Sequence, residues 1–578
     1  MTDRYHHRLP FGAELQPDGQ TRFRVWAPST KTLDLRLPSR TLPMTAEPGG
    51  WFALEADAPP GTPYSFLTDS GLAVPDPASR MQADDVHDSS VVTDPAHYIW
   101  RNVDWRGRPW NEAVIYECHT GIMGGFSGVE ARLPELAALG MTVIELMPLS
   151  AFPGARNWGY DGVLPYAPDR CFGTPDDLKS LVDTAHGMGL MVMLDVVYNH
   201  FGPDGAYLNA YAKPFFRDDI STPWGASIDF RRPEVRAYFE NNAVYWLNEF
   251  RFDGLRFDAV HAISEEDFLV GMAHTIRGAT PGRHVHLVLE HENNRVALLR
   301  DSPDSPLFDA QWADDLHHCL HVLLTRESEG YYQDFQDATT LLARCLGEGF
   351  AYQGEFAPHL DRDRGEPSAG LPTTAFVVCL QNHDQIGNRA MGERLTVLAD
   401  QAALQAATAL LLLSPFIPML FMGEEWASKT PFLFFTSHND DLARLVDEGR
   451  RREFKSFAAF QDEARRALIP APNAQSTFDA SIPEMTDPAH ADWIAALLRL
   501  RAEHVIPGLT GCESLGAEVL QDGAVRAAWR LGTGKMLTIV LNLGDHALNS
   551  ATAGTVLYET GGVTRATLPP ASIAVLLV

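Results

Sequence analysis

The sequence predicts an α/β protein, a (β/α)8 TIM barrel with an N-terminal β-sandwich domain and a C-terminal β domain. Eight short apolar runs between residues 114 and 423 alternate with amphipathic helical segments, which is typical of a parallel barrel. Before residue 105 and after residue 506, apolar and polar residues alternate as in antiparallel strands. The length of 578 residues exceeds what one hydrophobic core supports, so several domains are expected.

The two flanking domains are assigned to residues 1–105 (N-terminal β-sandwich) and 506–578 (C-terminal β-sandwich). In the first, residues 23–26 and 33–37 alternate in polarity, and turns rich in Pro and Gly separate such runs. In the second, residues 536–541 and 573–578 show a strand-like pattern. Both domains are therefore expected to be built from strands.

The barrel is assigned to residues 106–505, with an insertion around residues 196–232 that is too long for a simple βα loop. Thr174 can cap a helix that carries Pro175 at its first position, and Ser127 with Glu130 offers a capping box for a helix ending near Gly140. Residues 489–503 are expected to form the helix that closes the barrel. The predicted strands cover residues 114–117, 142–147, 190–195, 254–258, 286–290, roughly 307–311, 376–381 and 418–423.

The composition narrows the class of ligand and the compartment. With 75 acidic and 46 basic side chains, the chain has a formal net charge of -29, which repels nucleic-acid backbones and anionic lipid. Residues 1–10 lack the apolar core of a secretory signal, and Ser414, Pro415 and Pro418 interrupt the apolar stretch 402–422, which predicts a helix followed by a strand. The six scattered cysteines predict reduced thiols. We expect a cytoplasmic protein with a neutral ligand and with neither nucleic-acid nor membrane partners.

Ionisable residues recur where the predicted strands end. The carboxyl ends of barrel strands share one mouth, so these side chains are expected to converge there. Buried carboxylates are costly unless they are paired or used in chemistry. The residues at these ends are Asp195, Asn199 and His200 for the third strand, Asp258 for the fourth, Glu290 for the fifth, and His383 and Asp384 after the seventh.

Two of these carboxyl groups are predicted to have opposite ionisation. Arg256 and Asp258 are two apart on one strand and share a face, so the guanidinium favours an ionised Asp258. Glu290 follows an apolar run, and a drier setting favours its protonated form. Such a pair performs glycoside hydrolysis, and retention of configuration needs a separation of about 5–5.5 Å. The alternative is that Arg256 and Asp258 form a structural ion pair, which three carboxylates and two histidines at one mouth disfavour.

Four segments in order resemble the motifs of the α-amylase family of glycoside hydrolases. They are DVVYNH at 195–200, GLRFD at 254–258, LVLE at 287–290 and QNHD at 381–384. The resemblance implies that Asp258 is the nucleophile, that Glu290 is the general acid/base, and that Asp384 stabilises the distorted sugar. It also implies a substrate-binding role at the −1 subsite for Arg256, His200, His383 and the stacking residue Tyr160 in NWGYD. For Tyr160 the alternative is a core aromatic.

Finer segments resemble the trehalose-releasing hydrolases of that family. FGAE at 11–14 and FRVWAP at 23–28 are similar to the N-domain of branching, debranching and trehalose-releasing enzymes. NHDQIGNR at 382–389, MGEEW at 422–426 and PFLFFTSH at 431–438 are similar to the trehalose-releasing group. This implies cleavage of the α-1,4 bond next to the terminal trehalose unit of maltooligosyltrehalose, and a maltooligosyltrehalose synthase as the pathway partner. The alternatives are a glucan branching enzyme and an inactive glycan-binding protein, and the intact carboxylates disfavour the latter.

Some residues carry a second interpretation. Glu292, in EHEN at 290–293, is a second carboxylate near the acid, but Glu290 directly ends the apolar run and is preferred. His317 and His321 are four apart on a predicted helix and could face a metal, but no third ligand stands out. Asn199 resembles a calcium-binding position of some amylases without the matching loop ligands. We therefore predict no cofactor and no required metal, and residues 450–452 (RRR) are interpreted as a solvated helix face.

Overall fold

The computed structural model describes residues 4–222, 225–302, 305–485, 487–549, 554–564 and 566–578. These residues form an N-terminal pair of sheets, a central closed barrel and a C-terminal sheet. Within the described ranges, no helix combines the length and the apolar character that crossing a bilayer requires.

The N-terminal sheets form because their strands bury alternate side chains. In Thr21–Trp26 buried and half-buried residues alternate along the whole strand, with Phe23 and Val25 inside. One sheet has the order Gly12–Leu15, Thr21–Trp26, Trp51–Ala56, Thr45–Glu47. The other has the order Arg40–Pro43, Leu33–Leu37, Pro63–Thr68, Ala73–Val74, and Ser90–Val91 also pairs with Pro63–Thr68.

The predicted TIM barrel is confirmed. Eight strands close in sequence order, and each is parallel to the next. They are β1 (Ile115–Cys118), β2 (Val143–Leu146), β3 (Met191–Val196), β4 (Gly254–Phe257), β5 (His286–Leu289), β6 (Ala310–Trp312), β7 (Phe376–Val378) and β8 (Ile417–Phe421). Several strands end earlier than predicted. β4 and β5 end at Phe257 and Leu289, so Asp258 and Glu290 each lie one residue beyond a strand.

The barrel interior has an apolar floor and an upper layer of ionisable side chains. The floor consists of a buried cluster that includes Ile115, Val143, Met191, Met193 and Val288. The upper layer lies on the same inward faces, two positions after Ile115, Val143, Met193 and Gly254. Its members are Glu117, Glu145, Asp195 and Arg256, all buried.

The helices between the strands differ in how they begin. Thr174 caps Pro175–Gly187 as predicted, since its side chain accepts from Asp177 N and the reciprocal bond is present. The predicted capping box at Ser127 is wrong. The helix Gly125–Leu139 begins earlier, because Gly124 and Gly125 adopt φ of 89° and 79° and turn the chain directly into it.

The other α-helices are Leu208–Tyr211, Pro233–Glu249, Glu266–Ala279, Asp314–Thr325, Ala338–Glu348, His383–Gly387, Leu395–Leu398, Gln401–Leu413, Asp440–Glu453, Glu463–Arg466, Gln475–Asp479 and Pro488–Leu500.

Residues 196–232 place a short helix and a hairpin beside the barrel mouth. The helix is Leu208–Tyr211, and the hairpin pairs Phe216–Thr222 with Gly225–Ile228. Backbone bonds join this segment to the N-terminal domain, since Ser29 N donates to Tyr211 O at 2.8 Å. The segment therefore connects the first domain to the site.

The C-terminal sheet follows the closing helix Pro488–Leu500 and a π-helical turn, Arg501–Val505. The buried Arg501 donates to Leu412 O at 3.1 Å and to Ser414 O at 2.6 Å, which ties this turn to the helix before β8. The five-stranded sheet has the order Glu513–Gln521, Ala524–Arg530, Met536–Asn542, Ser572–Leu577, Thr555–Glu559, and Leu548–Asn549 pairs with Thr567–Leu568.

Candidate active site

The side chain of Arg256 gathers the carboxylates of three neighbouring strands. Its Nη1 donates to Asp195 Oδ2 at 2.7 Å and to Asp258 Oδ1 at 2.9 Å, and its Nη2 donates to Glu290 Oε2 at 2.7 Å. Because these oxygens contact the terminal nitrogens of one rigid fork, those of Asp258 and Glu290 lie within roughly 8 Å of each other. The two candidate carboxyl groups therefore share one mouth of the barrel.

Both oxygens of the Asp258 carboxylate are held. Arg256 binds Oδ1, and Asn199 Nδ2 donates to Oδ2 at 2.8 Å and to the Asp258 carbonyl at 2.8 Å. The next residue, Ala259, has a left-handed φ of 39°, and its N–H donates to Glu290 Oε2 at 2.9 Å. Sequence reasoning considered Asn199 only as a metal ligand and missed this role. Its position four residues after Asp195, at the same mouth, was the available signal.

The side chains of Glu290 and Glu292 contact different residues. Both contacts of Glu290, to Arg256 Nη2 and Ala259 N, are made by Oε2, and its side chain keeps 19% exposure. Glu292 instead pairs with Arg362 at 2.7 Å and is 38% exposed. Only Glu290 joins the carboxylate cluster around Arg256, which favours it as the candidate acid.

Tyr160 links two parts of the site. Its hydroxyl donates to Asp195 Oδ2 at 2.7 Å and lies 2.8 Å from His383 Nε2, and its ring stacks on that imidazole at 5.1 Å. Burial raises the pKa of Tyr160 well above its usual value. Burial also raises the pKa of Asp195 to about 7, although the Arg256 guanidinium opposes this. Tyr160 packs against the core and also bonds to two site residues.

His200 lies under Tyr160. Its Nε2 is 2.9 Å from the Tyr160 carbonyl, and its Nδ1 contacts the amide of Asn199. The side chain is 6% exposed. These contacts place His200 where it positions Tyr160 and Asn199.

His383 and Asp384 begin the short helix after β7. Asn382 caps it by accepting from Asp384 N at 2.9 Å. His383 is buried, and its Nδ1 lies 2.5 Å from Glu117 Oε1. Asp384 is 38% exposed, with Oδ1 3.5 Å from His383 Nε2 and 3.1 Å from Asn388 Nδ2. Asp384 is thus the member of the site that opens to solvent.

Two residues near the site, Trp312 and Asp314, were missed in the sequence because the end of β6 was poorly defined there. The Trp312 ring lies 4.0 Å from the guanidinium of Arg256. Burial raises the pKa of Asp314 to about 7, and the carboxylates of Glu290 and Asp384 add to the rise. Asp314 lies two residues beyond β6, close to the strand end as Asp258 is on β4, and that position was the available signal.

The structure tests two alternative interpretations, a metal at His317 and His321 and a solvated helix face at residues 450–452. His317 Nδ1 contacts the Leu380 carbonyl, and His321 Nε2 lies 2.8 Å from Glu327. Across the part of the chain that the structure describes, no three His, Cys, Asp or Glu residues are grouped so as to hold a metal. The solvated face expected at 450–452 is wrong for Arg450, which is 9% exposed and donates to the Gly387 carbonyl at 2.7 Å, because the last turn of the helix Asp440–Glu453 packs against the end of the short helix His383–Gly387.

Two family models match parts of the chain. The model described as "Alpha amylase, catalytic domain" matches residues 113–220, which include β1 to β3 and the ionisable residues Glu117, Glu145 and Asp195. The model described as "Domain of unknown function (DUF3459)" matches residues 512–575, the C-terminal sheet.

The chain is similar to curated proteins over most of its length. It is 41% identical over 480 residues to the malto-oligosyltrehalose trehalohydrolase of Deinococcus radiodurans, covering 82% of this chain and 78% of the relative. It is 36% identical to the protein of the same name from Rhizobium sp. (strain M-11), covering 98% of this chain and 99% of the relative. The chain belongs to the malto-oligosyltrehalose trehalohydrolase family. As a member of the trehalohydrolase family it is a glycoside hydrolase of the α-amylase class.

The likeness extends to a solved structure. A crystal structure of a Salmonella typhimurium protein, described as a candidate alpha amylase, superposes with a TM-score of 0.94 at 42% identity, covering 99% of this chain and 100% of that one. A 1,4-alpha-glucan branching enzyme from Jannaschia sp. is 34% identical over 301 residues but covers only 44% of this chain and 41% of that enzyme. The trehalohydrolase relatives therefore match a much larger share of the chain than the branching enzyme does.

Proposed function

We propose that the chain is a retaining α-glycosidase that hydrolyses the α-1,4 bond next to the terminal trehalose unit of maltooligosyltrehalose and releases trehalose. This activity is that of a 4-α-D-(1,4-α-D-glucano)trehalose trehalohydrolase. The observation that carries the proposal is the meeting of Asp258 and Glu290 on the Arg256 guanidinium, in a chain of this family.

In the first step, an Asp258 oxygen attacks the anomeric carbon of the glucosyl unit in the −1 subsite. The bond from that carbon to O4 of trehalose breaks, and Glu290 gives its proton to O4, so trehalose leaves. The contacts of Asp258 with Arg256 and Asn199 fix the direction of its carboxylate for this attack.

In the second step, water attacks the same carbon from the side that trehalose left. Glu290, now ionised, takes a proton from the water, and the bond to Asp258 breaks. The maltooligosaccharide is released with its α configuration. The contact of Glu290 Oε2 with Arg256 Nη2 holds the carboxyl group in position for this proton transfer.

The other site residues act on the sugar and on its neighbours. Asp384, which is open to solvent, accepts hydrogen bonds from hydroxyl groups of the distorted sugar. Tyr160 offers its ring face to that sugar, and His200 holds the backbone of Tyr160. His383 contacts the Tyr160 hydroxyl through Nε2 at 2.8 Å and so supports the orientation of that ring.

The competing function is that of a glucan branching enzyme, in which a sugar hydroxyl replaces water as acceptor. It shares the same carboxylates, so only the products separate the two. Incubation with maltotriosyltrehalose and, separately, with a long linear glucan should yield free trehalose from the first and no new α-1,6 branches from the second. Branches without trehalose would overturn the proposal.

Matched variants test the assigned roles. Glu290→Gln should lower kcat by about 100- to 10,000-fold, whereas Glu292→Gln, two residues away and paired with Arg362, should stay within about two-fold. Asp258→Ala should abolish turnover. The opposite ranking of the two glutamate variants would exchange their roles.

A synthase that forms maltooligosyltrehalose is the pathway partner that this function requires, since the substrate already carries its trehalose end. A cytoplasmic location stays a prediction from the sequence.

A further inference from the structure

We propose that Glu117 is a positioning residue that holds His383 as an imidazolium, so that His383 Nε2 is a permanent hydrogen-bond donor at the floor of the −1 subsite. The inference rests on the proposed function for its consequence in catalysis, but its structural part stands on contacts alone. Glu117 lies on β1, outside all four motifs that carried the resemblance.

Glu117 binds His383 through both carboxylate oxygens. Its Oε1 lies 2.5 Å from Nδ1 of the ring, and its Oε2 accepts from the backbone N–H of His383 at 3.2 Å. Each of the two side chains is 1% exposed. A carboxylate accepts hydrogen bonds, so Nδ1 carries a proton, and the ring cannot rotate without breaking this contact.

The protonation of Nε2 follows from its other neighbours. Asp195 Oδ2 accepts from Arg256 Nη1 at 2.7 Å and also contacts the Tyr160 hydroxyl at 2.7 Å. An oxygen that accepts from a guanidinium is an acceptor here too, so the single hydroxyl proton of Tyr160 points to Asp195. The Tyr160 oxygen, 2.8 Å from Nε2, then accepts from His383. Both ring nitrogens are donors, which is the imidazolium form.

The charges around His383 agree with this form. Burial alone would lower the pKa of His383, but the carboxylates of Asp384 and Glu117 outweigh it and raise the pKa to about 9. Of these two, Asp384 is 38% exposed and turns to the sugar in the proposed mechanism, whereas Glu117 stays buried. The titratable and charged groups that face His383 are Glu117, Asp384, Tyr160, Arg256, Glu145 and His119.

Glu145 and His119 do not replace Glu117. Glu145 lies opposite Glu117 in the β1–β2 register, and burial raises the pKa of Glu145 well above its usual value, which favours its neutral form. Burial lowers the pKa of His119 to about 4, which favours a neutral ring. Among these three neighbours, Glu117 is the carboxyl group that contacts both Nδ1 and the backbone N–H of His383.

The test compares Glu117→Gln with Glu145→Gln. The first replaces the carboxyl group that contacts the ring of His383 by an amide, whereas the second makes the same change at the neighbouring register position, where burial already favours the neutral form. Nitrogen-15 NMR follows the ring of His383, assigned by the signal that disappears in His383→Gln. The wild-type and Glu145→Gln rings should titrate near pH 9, and the Glu117→Gln ring should titrate more than about two pH units lower, below pH 7.

Kinetics supply the second readout. Glu117→Gln should lower kcat about 10- to 100-fold at pH 7 with a smaller change in KM, because Nε2 no longer donates to the Tyr160 hydroxyl. Glu117→Asp, which keeps the charge, should recover part of the loss. Thermal unfolding of each variant separates a folding defect from a positioning defect.

An unchanged His383 titration in Glu117→Gln, or an equal downward shift in Glu145→Gln, would overturn the inference. The NMR readout needs no substrate, so its failure is distinct from a failure of the proposed function, which product analysis of the wild type reports.

Discussion

Replacing Arg256 by lysine tests whether its fork, rather than its charge, organises the site. The guanidinium is fully buried, and its two terminal nitrogens serve three carboxylates while its face lies 4.0 Å from the Trp312 ring. A lysine keeps one positive charge but offers a single nitrogen. It can follow Nη1 towards Asp195 and Asp258, but it cannot also reach Glu290.

The magnitude follows from the lost contact. Arg256→Lys removes the charge-assisted hydrogen bond of Nη2 to Glu290, worth about 1.5–3 kcal/mol. At about 1.4 kcal/mol per decade, kcat/KM should fall about 10- to 150-fold. Stability should fall by less than the roughly 3–5 kcal/mol that full removal of a buried ion-pair partner costs.

The assay is the rate of trehalose release from maltotriosyltrehalose, with thermal unfolding of the same preparations. Arg283→Lys is the matched control. Arg283 lies before β5, at the opposite end of the barrel, and donates to the carbonyls of Leu247 at 2.5 Å and Phe252 at 2.7 Å. This variant should lose stability and keep kcat within about two-fold.

An Arg256→Lys enzyme with kcat/KM within about three-fold of the wild type would refute the reasoning. The same holds if the control loses as much activity at equal stability, because the effect would then be structural.

Three further outcomes are expected. Tyr160→Phe should lower kcat/KM about 10-fold, because two site residues lose partners at 2.7 and 2.8 Å, and a loss below two-fold in the same assay would contradict this. Burial and two neighbouring carboxylates raise the pKa of Asp314 to about 7, so Asp314→Asn should alter the kcat/KM profile near that pH, where Asp195 also titrates, and a profile identical to that of the wild type would speak against it. Burial lowers the pKa of His119 to about 4 and of His317 to about 3, so below about pH 6.5 the unfolded chain binds protons that the folded chain does not. Each such histidine should cost about 1.4 kcal/mol of stability per pH unit down to its folded pKa, whereas the raised pKa values of Asp195 and Asp314 act in the opposite sense over the same range. The change in Tm from pH 7 to pH 5, measured by calorimetry, should therefore be more favourable in His317→Gln than in the wild type, and an equal change in both would disprove it.

The barrel could be predicted because each of its strands is recognisable from a short stretch of sequence. Each strand is a short buried run, and the side chains that end β3, β4 and β5 meet because parallel strands place their carboxyl ends together. The apolar pattern that marks β6 was weak, so the end of this strand was placed too early. Trp312 and Asp314 were therefore not recognised as residues near the site. The capping box at Ser127 failed because two glycines upstream had already turned the chain into the helix.

Long-range contacts could not be predicted, since no local pattern encodes them. The sequence does not show that Asn199 holds the Asp258 carboxylate, that Glu117 holds His383, or that Arg450 packs against the helix His383–Gly387. In each case the two partners are at least 59 residues apart in the sequence. Only the folded chain determines which polar neighbour a buried group acquires.

The left-handed turn at Ala259 has a consequence for how the enzyme could be altered. One peptide unit carries the candidate nucleophile on one side and grips the candidate acid through its N–H on the other. The gap between the two carboxyl groups is thus set by main-chain geometry as well as by the Arg256 fork. Changing its width would require rebuilding the backbone at residues 258–259, since exchanging side chains alone would leave the hold of Ala259 N on Glu290 in place.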